Sequence, residues 1–311
     1  MAAVFRAKIV NLVGYGEHIT KKRDGWARDK FCFTVGDHKV TIKQRKAVLN
    51  LQGSKVRGYQ IDSSVITATK VQSLDAGIAL VEDLCWLLSF ATQSSIGAYE
   101  FSMGRQRRLR PVSGVYNRWR PPFGSGVGKL SDFIVQVWPN YRRLNRAWPI
   151  SAFVHMIGES DISDGVLESK ITAGMQCLES IKSYFALNEG PKHGIQEDRR
   201  GCFIENVSGK EPSFEKLLKL TLREVGMSLP PSFDKIKKLR NALVHRGFIR
   251  ETDNVTRYIF GQLSGGAMHS AMFEVMEDVQ DLLREYMLRL LGYKGCYLTY
   301  GNYGMTRKTI G

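Results

Sequence analysis

The chain has 311 residues, of which 43% are hydrophobic and 24% are charged, and this composition excludes a disordered or fibrous protein. Its length predicts two domains, each large enough to bury a core. No apolar run approaches the roughly 20 residues that a membrane span needs, and the charged N-terminal stretch lacks the layout of a signal peptide. We therefore expect a cytoplasmic protein with no membrane partner.

The cysteines give a second exclusion. There are five, an odd number, and they are scattered along the chain without a Cys-x-x-Cys pair. This pattern predicts neither a disulfide framework nor a zinc site. The acidic residues form no cluster that would suit Mg²⁺. We therefore expect no metal and no cofactor.

The formal net charge of +15 is concentrated in the first half of the chain. Residues 1–70 contain 14 basic and 5 acidic side chains, and residues 105–146 contain 10 and 1, so each segment carries +9. Residues 147–311 contain 21 and 20 and are nearly neutral. Because a focused positive field attracts polyanions, this asymmetry predicts a nucleic-acid partner for the first half. A basic surface that serves only solubility is the alternative.

The first part of the chain has the alternating pattern and the glycine-containing turns of an antiparallel β region. Strands are expected at 4–13, 30–35, 39–43 and 58–62. A helix is expected over 73–93, because Ser73 can cap its N-terminus and its residues are apolar on most sides. A helix of this kind should be buried in the N-terminal domain.

From Arg143 onward the apolar residues recur at helical spacing. Helices are expected at roughly 144–157, 163–186, 211–227, 232–246 and 268–292. The fold class is therefore predicted to be α+β, with a β-rich basic N-terminal domain over 1–143 and an all-α helical bundle over 144–311. The wide apolar stripe of the last helix also allows part of it to bury a dimer partner.

Nine arginines and six aromatic residues are interleaved between Gly104 and Trp148. Arginine with aromatic residues is typical of a groove that binds single-stranded nucleic acid. The other interpretation is alternation on a twisted sheet, with aromatic side chains inside and arginines outside. The two are compatible, and the predicted RNA-binding residues in this stretch are Arg105, Arg107, Arg108 and Arg110.

The segment 234–247, Asp-Lys-Ile-Lys-Lys-Leu-Arg-Asn-Ala-Leu-Val-His-Arg-Gly, predicts a helix that ends at Gly247. Asn241 and His245 are four residues apart and therefore share a face. Arg240 is roughly 140° away from His245 around the helix, within reach of a long guanidinium. A cation, an amide and a titratable ring directed at one groove suit a phosphate. By itself this spacing is more typical of a solvated helix with an incidental histidine.

The string Leu-Arg-Asn-Ala-Leu-Val-His-Arg-Gly at 239–247 resembles the signature of the HEPN superfamily, in which an arginine and a polar residue precede a histidine. The polar position is Asn241. The segment 281–297 resembles the last helix and tail of many such bacterial proteins, and the HEPN resemblance covers roughly 145–311. The segment 84–92 is similar to the N-terminal region of ApeA-like phage-defence proteins.

The resemblance implies metal-independent endoribonuclease activity at a composite site. His245 would be a general base or acid, Arg240 would bind the scissile phosphate, and Asn241 would orient His245 or the ribose. Lys238 and Arg246 could hold flanking phosphates as RNA-binding residues. The implied products are a 2′,3′-cyclic phosphate and a 5′-hydroxyl, and tRNA is one candidate substrate.

One histidine cannot easily act as both acid and base, so we expect a homodimer that brings two motifs together across a two-fold axis. Further candidate partners are an inhibitor protein and an activating ligand. The implied role is bacterial antiviral defence or toxin-type growth arrest. Some family members carry a tyrosine two residues after the histidine as a modification site, but Gly247 occupies that position here.

A second hypothesis is a non-catalytic sensor that binds RNA or nucleotides and dimerises through the helical bundle. In that case the motif on 234–247 is structural, as it is in some HEPN proteins. Both hypotheses require polyanion binding, but only the first requires His245 to be chemically competent. A DNA-binding regulator has little support, because the sequence shows no helix-turn-helix with a basic recognition helix.

Overall fold

The computed structural model contains both helices and strands, so the predicted α+β class is confirmed. It describes residues 4–14, 16–22, 25–48, 59–114, 120–124, 127–161, 166–246, 266–301 and 304–311, without the side chains at 19–27, 244–246 and 266–269. Two compact units make up the chain. The first contains 1–142, 293–298 and 307–311, and the second contains 143–292 and 299–306.

The first unit is built on an antiparallel sheet of seven strands in the order β2-β3-β4-β5-β1-β6-β7. The strands are β1 (Phe5–Val10), β2 (His18–Lys22), β3 (Gly25–Val35), β4 (His38–Gln44), β5 (Asp62–Ala68), β6 (Gly97–Met103) and β7 (Gln106–Leu109). A strand was expected at 58–62, but β5 begins only at Asp62, and residues 51–58 lie outside the described part. β6 and β7 were not predicted.

The alternation of side chains along the strands decides which face of the sheet is buried. In β1, Phe5, Ala7 and Ile9 are buried while Arg6 is exposed, and β4 follows the same rule. Successive side chains of a strand point to opposite faces, so the sheet has one apolar face and one polar face. The apolar face packs against helix α1 (Leu74–Thr92), and the polar face carries most of the lysines of these strands.

Helix α1 forms as the sequence predicts. Ser73 has an extended backbone, and its hydroxyl accepts a hydrogen bond from the backbone N–H of Ala76, with Asp75 in the first turn. At the other end, Gln93 adopts the left-handed conformation that commonly terminates helices. The helix is buried on most of its circumference because it faces both the sheet and helix α2 (Leu130–Leu144).

Gly77 on α1 lies directly against Phe5 of the sheet, and this contact gives a stability prediction. A Cβ atom at this position would lie 2.1 Å from Cδ2 of the fully buried Phe5. We expect Gly77→Ala to lower the free energy of unfolding by about 1–3 kcal/mol, because this contact overpacks a dense core. Alanine favours a helix over glycine by roughly 1 kcal/mol, which the overpacking should exceed. Urea denaturation monitored by circular dichroism measures the change.

Gly158 offers the matched control, since it is also helical and a Cβ there would meet nothing within 4 Å. Gly158→Ala should leave stability unchanged or raise it. If Gly77→Ala behaves in the same way as Gly158→Ala, then the packing of α1 against Phe5 has been misassigned.

The second unit contains the helices α3 (Ile150–Ser160), α4 (Leu167–Asn188), α5 (Phe214–Glu224), α6 (Phe233–Arg246) and α7 (Gly266–Leu290). These lie near five of the predicted helices. The expected all-α composition is wrong, because β8 (Ile195–Glu197) and β9 (Phe203–Glu205) form a short hairpin between α4 and α5. The chain ends in a two-stranded sheet of β10 (Gly295–Thr299) and β11 (Thr306–Ile310), which was also not predicted.

Candidate functional site

Helix α6 presents the Arg-Asn-x-x-x-His motif. It forms because Phe233, Ile236, Leu239 and Ala242 recur at intervals of three residues and are all buried, so the helix packs by this stripe. The backbone is helical as far as Arg246. Positions 241 and 245 are therefore one turn apart on the same face.

The predicted residues on α6 are described to different degrees. Lys238 precedes Asn241 by three residues, so both lie on the face that position 245 shares, and Lys238 is exposed. The side chains of His245 and Arg246 lie outside the described part of the chain. Arg240 and Asn241 are both half-buried, and the structure brings these two side chains together.

Arg240 is held by two hydrogen bonds. Its Nε donates to Oε1 of Glu179 on α4 at 2.6 Å, and its Nη1 donates to Oδ1 of Asn241 at 3.2 Å. Within the described part of the chain, two of the five N–H groups of the guanidinium are thereby engaged. The side chain is 23% exposed, so the guanidinium is oriented but still reaches solvent.

An aromatic side chain supports the same guanidinium. The Cζ of Arg240 lies 5.1 Å from the ring centre of Phe214, the first residue of α5, and the Nζ of Lys182 lies 5.5 Å from it. The Phe214 ring in turn stacks on Phe233 at 6.1 Å. Cations attracted to an aromatic face lose freedom of movement, which favours a preorganised site.

Two carboxylates in this region, Glu179 and Glu215, are ionised. Burial of Glu179 opposes its ionisation, but hydrogen bonds from Arg240 and Lys182 outweigh this effect and lower its pKa. Glu215 receives hydrogen bonds from Lys219 and Lys237, which lower its pKa to about 2. The four cations here are Arg240, Lys182, Lys219 and Lys237, and with the two carboxylates they carry a net charge of +2. We call these six residues, together with Asn241 and Phe214, the Arg240 cluster.

Three residues of this site, Glu179, Lys182 and Phe214, were not predicted from the sequence. Glu179 is 61 residues from Arg240 along the chain, so no helical spacing connects the two. The only local signal was the Glu-x-x-Lys spacing of Glu179 and Lys182, which is common on solvated helices. The site therefore becomes visible only when α4, α5 and α6 are packed.

The four arginines predicted to bind RNA lie in and around the β6–β7 hairpin and are all exposed. Arg107 pairs with Glu100 at 3.1 Å, Arg108 with Asp75, and Arg110 with Glu82. Because exposed ion pairs contribute little free energy, phosphates can replace these carboxylates at small cost. RNA binding by Arg105, Arg107, Arg108 and Arg110 remains a prediction.

The aromatic residues of the same stretch do not form an exposed stacking surface. Phe123, Trp138, Tyr141 and Trp148 are each at least 92% buried, so the interpretation of these rings as a nucleic-acid platform is wrong. Helix α2, which was not predicted, places Trp138 and Tyr141 in the core. Tyr116 and Trp119 lie outside the described residues.

Two features are absent from the described residues. These residues contain no group of three or more His, Cys, Asp or Glu side chains arranged to hold a metal ion. Nor does any described helix combine the length and apolarity needed to cross a bilayer. Comparison with protein-family models, with curated proteins and with solved structures finds no match for this chain.

Proposed function

We propose that the protein is a metal-independent endoribonuclease whose active site is completed by a second copy of the chain. The second unit would then be a HEPN-like helical bundle, as the resemblance of 239–247 implies. Its role would be antiviral defence or toxin-type growth arrest, and its substrate RNA would include tRNA as a candidate.

The observation that carries this proposal is the fixed guanidinium of Arg240. Glu179 holds its Nε at 2.6 Å and Asn241 accepts from its Nη1 at 3.2 Å, while the helix continues to position 245. A guanidinium whose orientation is set before binding stabilises a phosphate without further reorganisation. The net positive Arg240 cluster favours an anionic substrate in the same place.

The chemistry needs few groups because RNA contains its own nucleophile, the 2′-hydroxyl. Cleavage requires removal of the proton from this hydroxyl, stabilisation of the charge on the phosphorane, and protonation of the departing 5′-oxygen. His245 transfers one of these protons and Arg240 stabilises the phosphorane. Asn241 orients the imidazole or the ribose, and Lys238 and Arg246 hold the flanking phosphates.

A second copy of the motif supplies the second proton-transfer group that the reaction requires. Two α6 helices related by a two-fold axis supply two histidines and two arginines, so one His245 acts as base and the other as acid. The proposed dimer is therefore part of the active site. A monomer would retain phosphate binding and lose most of its cleavage activity.

The test is RNA cleavage in excess EDTA. We expect the wild-type protein to cut total cellular RNA or tRNA and to leave 2′,3′-cyclic phosphate and 5′-hydroxyl ends. His245→Ala, compared at the same dimer content, should be inactive because the proton transfers are lost. Cleavage that stops in EDTA, or that yields 5′-phosphate ends, would contradict the proposed chemistry.

The non-catalytic sensor is the second candidate function, and one observation favours it. The ion pair between Arg240 and Glu179 resembles a structural contact between α6 and α4 as much as a site awaiting a phosphate. If the wild-type protein and His245→Ala are equally inert, both in isolation and in infected cells, and both bind RNA, the sensor is the correct function.

A further inference from the structure

The polar face of the seven-stranded sheet in the first unit is almost wholly basic. The Arg240 cluster, in contrast, contains charges of both signs. Paired residues of an antiparallel ladder share a face. One row across the sheet runs through Arg107, Ser102, Arg6, Thr67, Thr41 and Cys32. The next row runs through Leu109, Glu100, Lys8, Val65, Lys43 and Lys30. We call these two rows, with Lys39 on β4, the outer face.

None of these residues is buried, whereas the neighbours of the two rows along β1, β3, β4 and β5 are buried. The outer face carries six cations, and its only carboxylate is Glu100. Glu100 is shared by Lys8 at 2.8 Å and Arg107 at 3.1 Å. The four other cations, Arg6, Lys30, Lys39 and Lys43, form no ion pair within the described part of the chain.

Two of these unpaired cations are direct neighbours. Lys30 on β3 and Lys43 on β4 are opposite each other in the ladder, which places their Cβ atoms about 5 Å apart. Like charges in this arrangement destabilise a sheet by some tenths of a kcal/mol. A surface that served only solubility would mix both signs, so the concentration of one sign indicates an anionic partner.

The acidic residues of α1 do not balance this face, and Asp62 on β5 pairs with Arg45. Asp75, Glu82 and Asp83 lie on α1, which covers the opposite side of the sheet. They pair there with Arg108, Arg110 and Arg142. The charges of the unit are therefore segregated, with neutralised pairs around α1 and a positive field over the outer face.

We propose that the outer face docks the sugar-phosphate backbone of RNA, with Arg6, Lys30, Lys39 and Lys43 as its phosphate contacts. This inference rests on the proposed function for the identity of the polyanion as RNA. It assigns the binding of substrate to the first unit and its cleavage to the second. The β6–β7 hairpin, which carries the predicted RNA-binding arginines, forms one edge of the outer face and contributes Arg107 to it.

The composition of the face defines how it binds. Its two rows contain no Phe, Tyr or Trp on which a base could stack, and their uncharged members are mostly small. Recognition should therefore depend on phosphates and not on sequence. An anionic lipid surface is a less suitable partner, because binding to a membrane surface strengthens with the apolar area that is buried, and these rows present little of it.

The test removes three of these charges in a protein that cannot cut its ligand. Lys30→Gln, Lys43→Gln and Arg6→Gln are combined with His245→Ala. Binding of a fluorescein-labelled single-stranded RNA of mixed sequence is measured by anisotropy at several NaCl concentrations. We expect the affinity to fall about 10- to 100-fold and the slope of log K against log salt to flatten by about 2. Stability should not fall, because like-charge repulsion is removed.

A matched control removes the same charge elsewhere. Lys192→Gln, Lys210→Gln and Lys216→Gln replace exposed lysines of the second unit, again with His245→Ala. This variant should bind within about 2-fold of the His245→Ala parent. If both triple variants lose affinity equally, or if the outer-face variant binds normally, the proposal fails. Binding of phosphatidylserine vesicles in place of RNA would also overturn it.

These outcomes separate the docking surface from the nuclease. If the wild-type protein cuts no RNA but the outer-face variant shows the expected loss of binding, only the proposed catalytic function fails. If the wild-type protein cuts RNA but the outer-face variant binds RNA as tightly as its His245→Ala parent, only the docking surface fails.

Discussion

Replacing Arg240 by lysine should lower the rate of RNA cleavage about 100- to 1,000-fold, close to the effect of Arg240→Ala. The guanidinium donates to Glu179 and Asn241 at the same time, and the proposed mechanism requires it to bind a phosphate as well. A lysine ammonium is a point charge and cannot reproduce the planar, forked arrangement of donors in a guanidinium. The measurement is the single-turnover cleavage rate at saturating RNA, together with RNA affinity.

Two comparisons show whether the loss is specific. Lys237→Gln removes a cation of the Arg240 cluster that pairs with Glu215 at 2.9 Å, and it should cost less than about 10-fold in rate. Glu179→Gln tests Glu179 as a positioning residue, and it should reduce the rate more than it reduces RNA affinity. If Arg240→Lys cleaves RNA at the wild-type rate, Arg240 is only a structural contact.

Measuring the free energy of unfolding of Arg240→Lys shows whether a loss of activity arises from a loss of folded structure. Arg240 and Glu179 are 23% and 29% exposed, and ion pairs with this much solvent access typically contribute less than about 1 kcal/mol. Arg240→Lys should therefore unfold close to the wild-type urea concentration. A large loss of stability would assign the lower activity to the fold and not to the chemistry.

Replacing Arg284 by methionine should lower the free energy of unfolding by about 3–5 kcal/mol. Arg284 on α7 is completely buried, and it donates to Asp161 at 2.8 Å and to Asp281 at 2.9 Å. Asp281 also accepts the backbone N–H groups of Tyr300 and Gly301. Removing the guanidinium leaves Asp161 as a buried carboxylate without its cation, which is the costly outcome.

Lys219→Met is the control for this prediction, because Lys219 also forms a helical ion pair but is 47% exposed. It should cost less than about 1 kcal/mol in urea unfolding. Burial lowers the pKa of Arg284, but the negative charges of Asp161 and Asp281 raise it by a larger amount, so its pKa is raised overall. The folded protein therefore stabilises the charged form of Arg284. Equal losses for the two variants would mean that the Arg284 network contributes no more than a surface pair.

Local patterns were sufficient for the secondary elements whose signals are periodic. The buried helix α1 was predicted from Ser73 and its apolar run, and α6 was predicted from Ile236 and Leu239 with a boundary that differs by one residue. Helix α2 was missed because it contains Pro139, which is unfavourable inside a helix, and because its arginines and aromatic residues resemble a strand pattern. The short strands β8 to β11 carry too few residues for a period to be visible.

The candidate site also has a part that could be predicted from the sequence and a part that could not. The positions of Arg240, Asn241 and His245 on one helix follow from the chain itself, because helical spacing is a local property. The partners of Arg240 do not, since Glu179 and Phe214 belong to other helices and meet it only through packing. The charge of the first half was likewise evident in the composition. Its division into a neutralised side and a basic outer face depends on which strands pair, and the chain order alone does not specify that pairing.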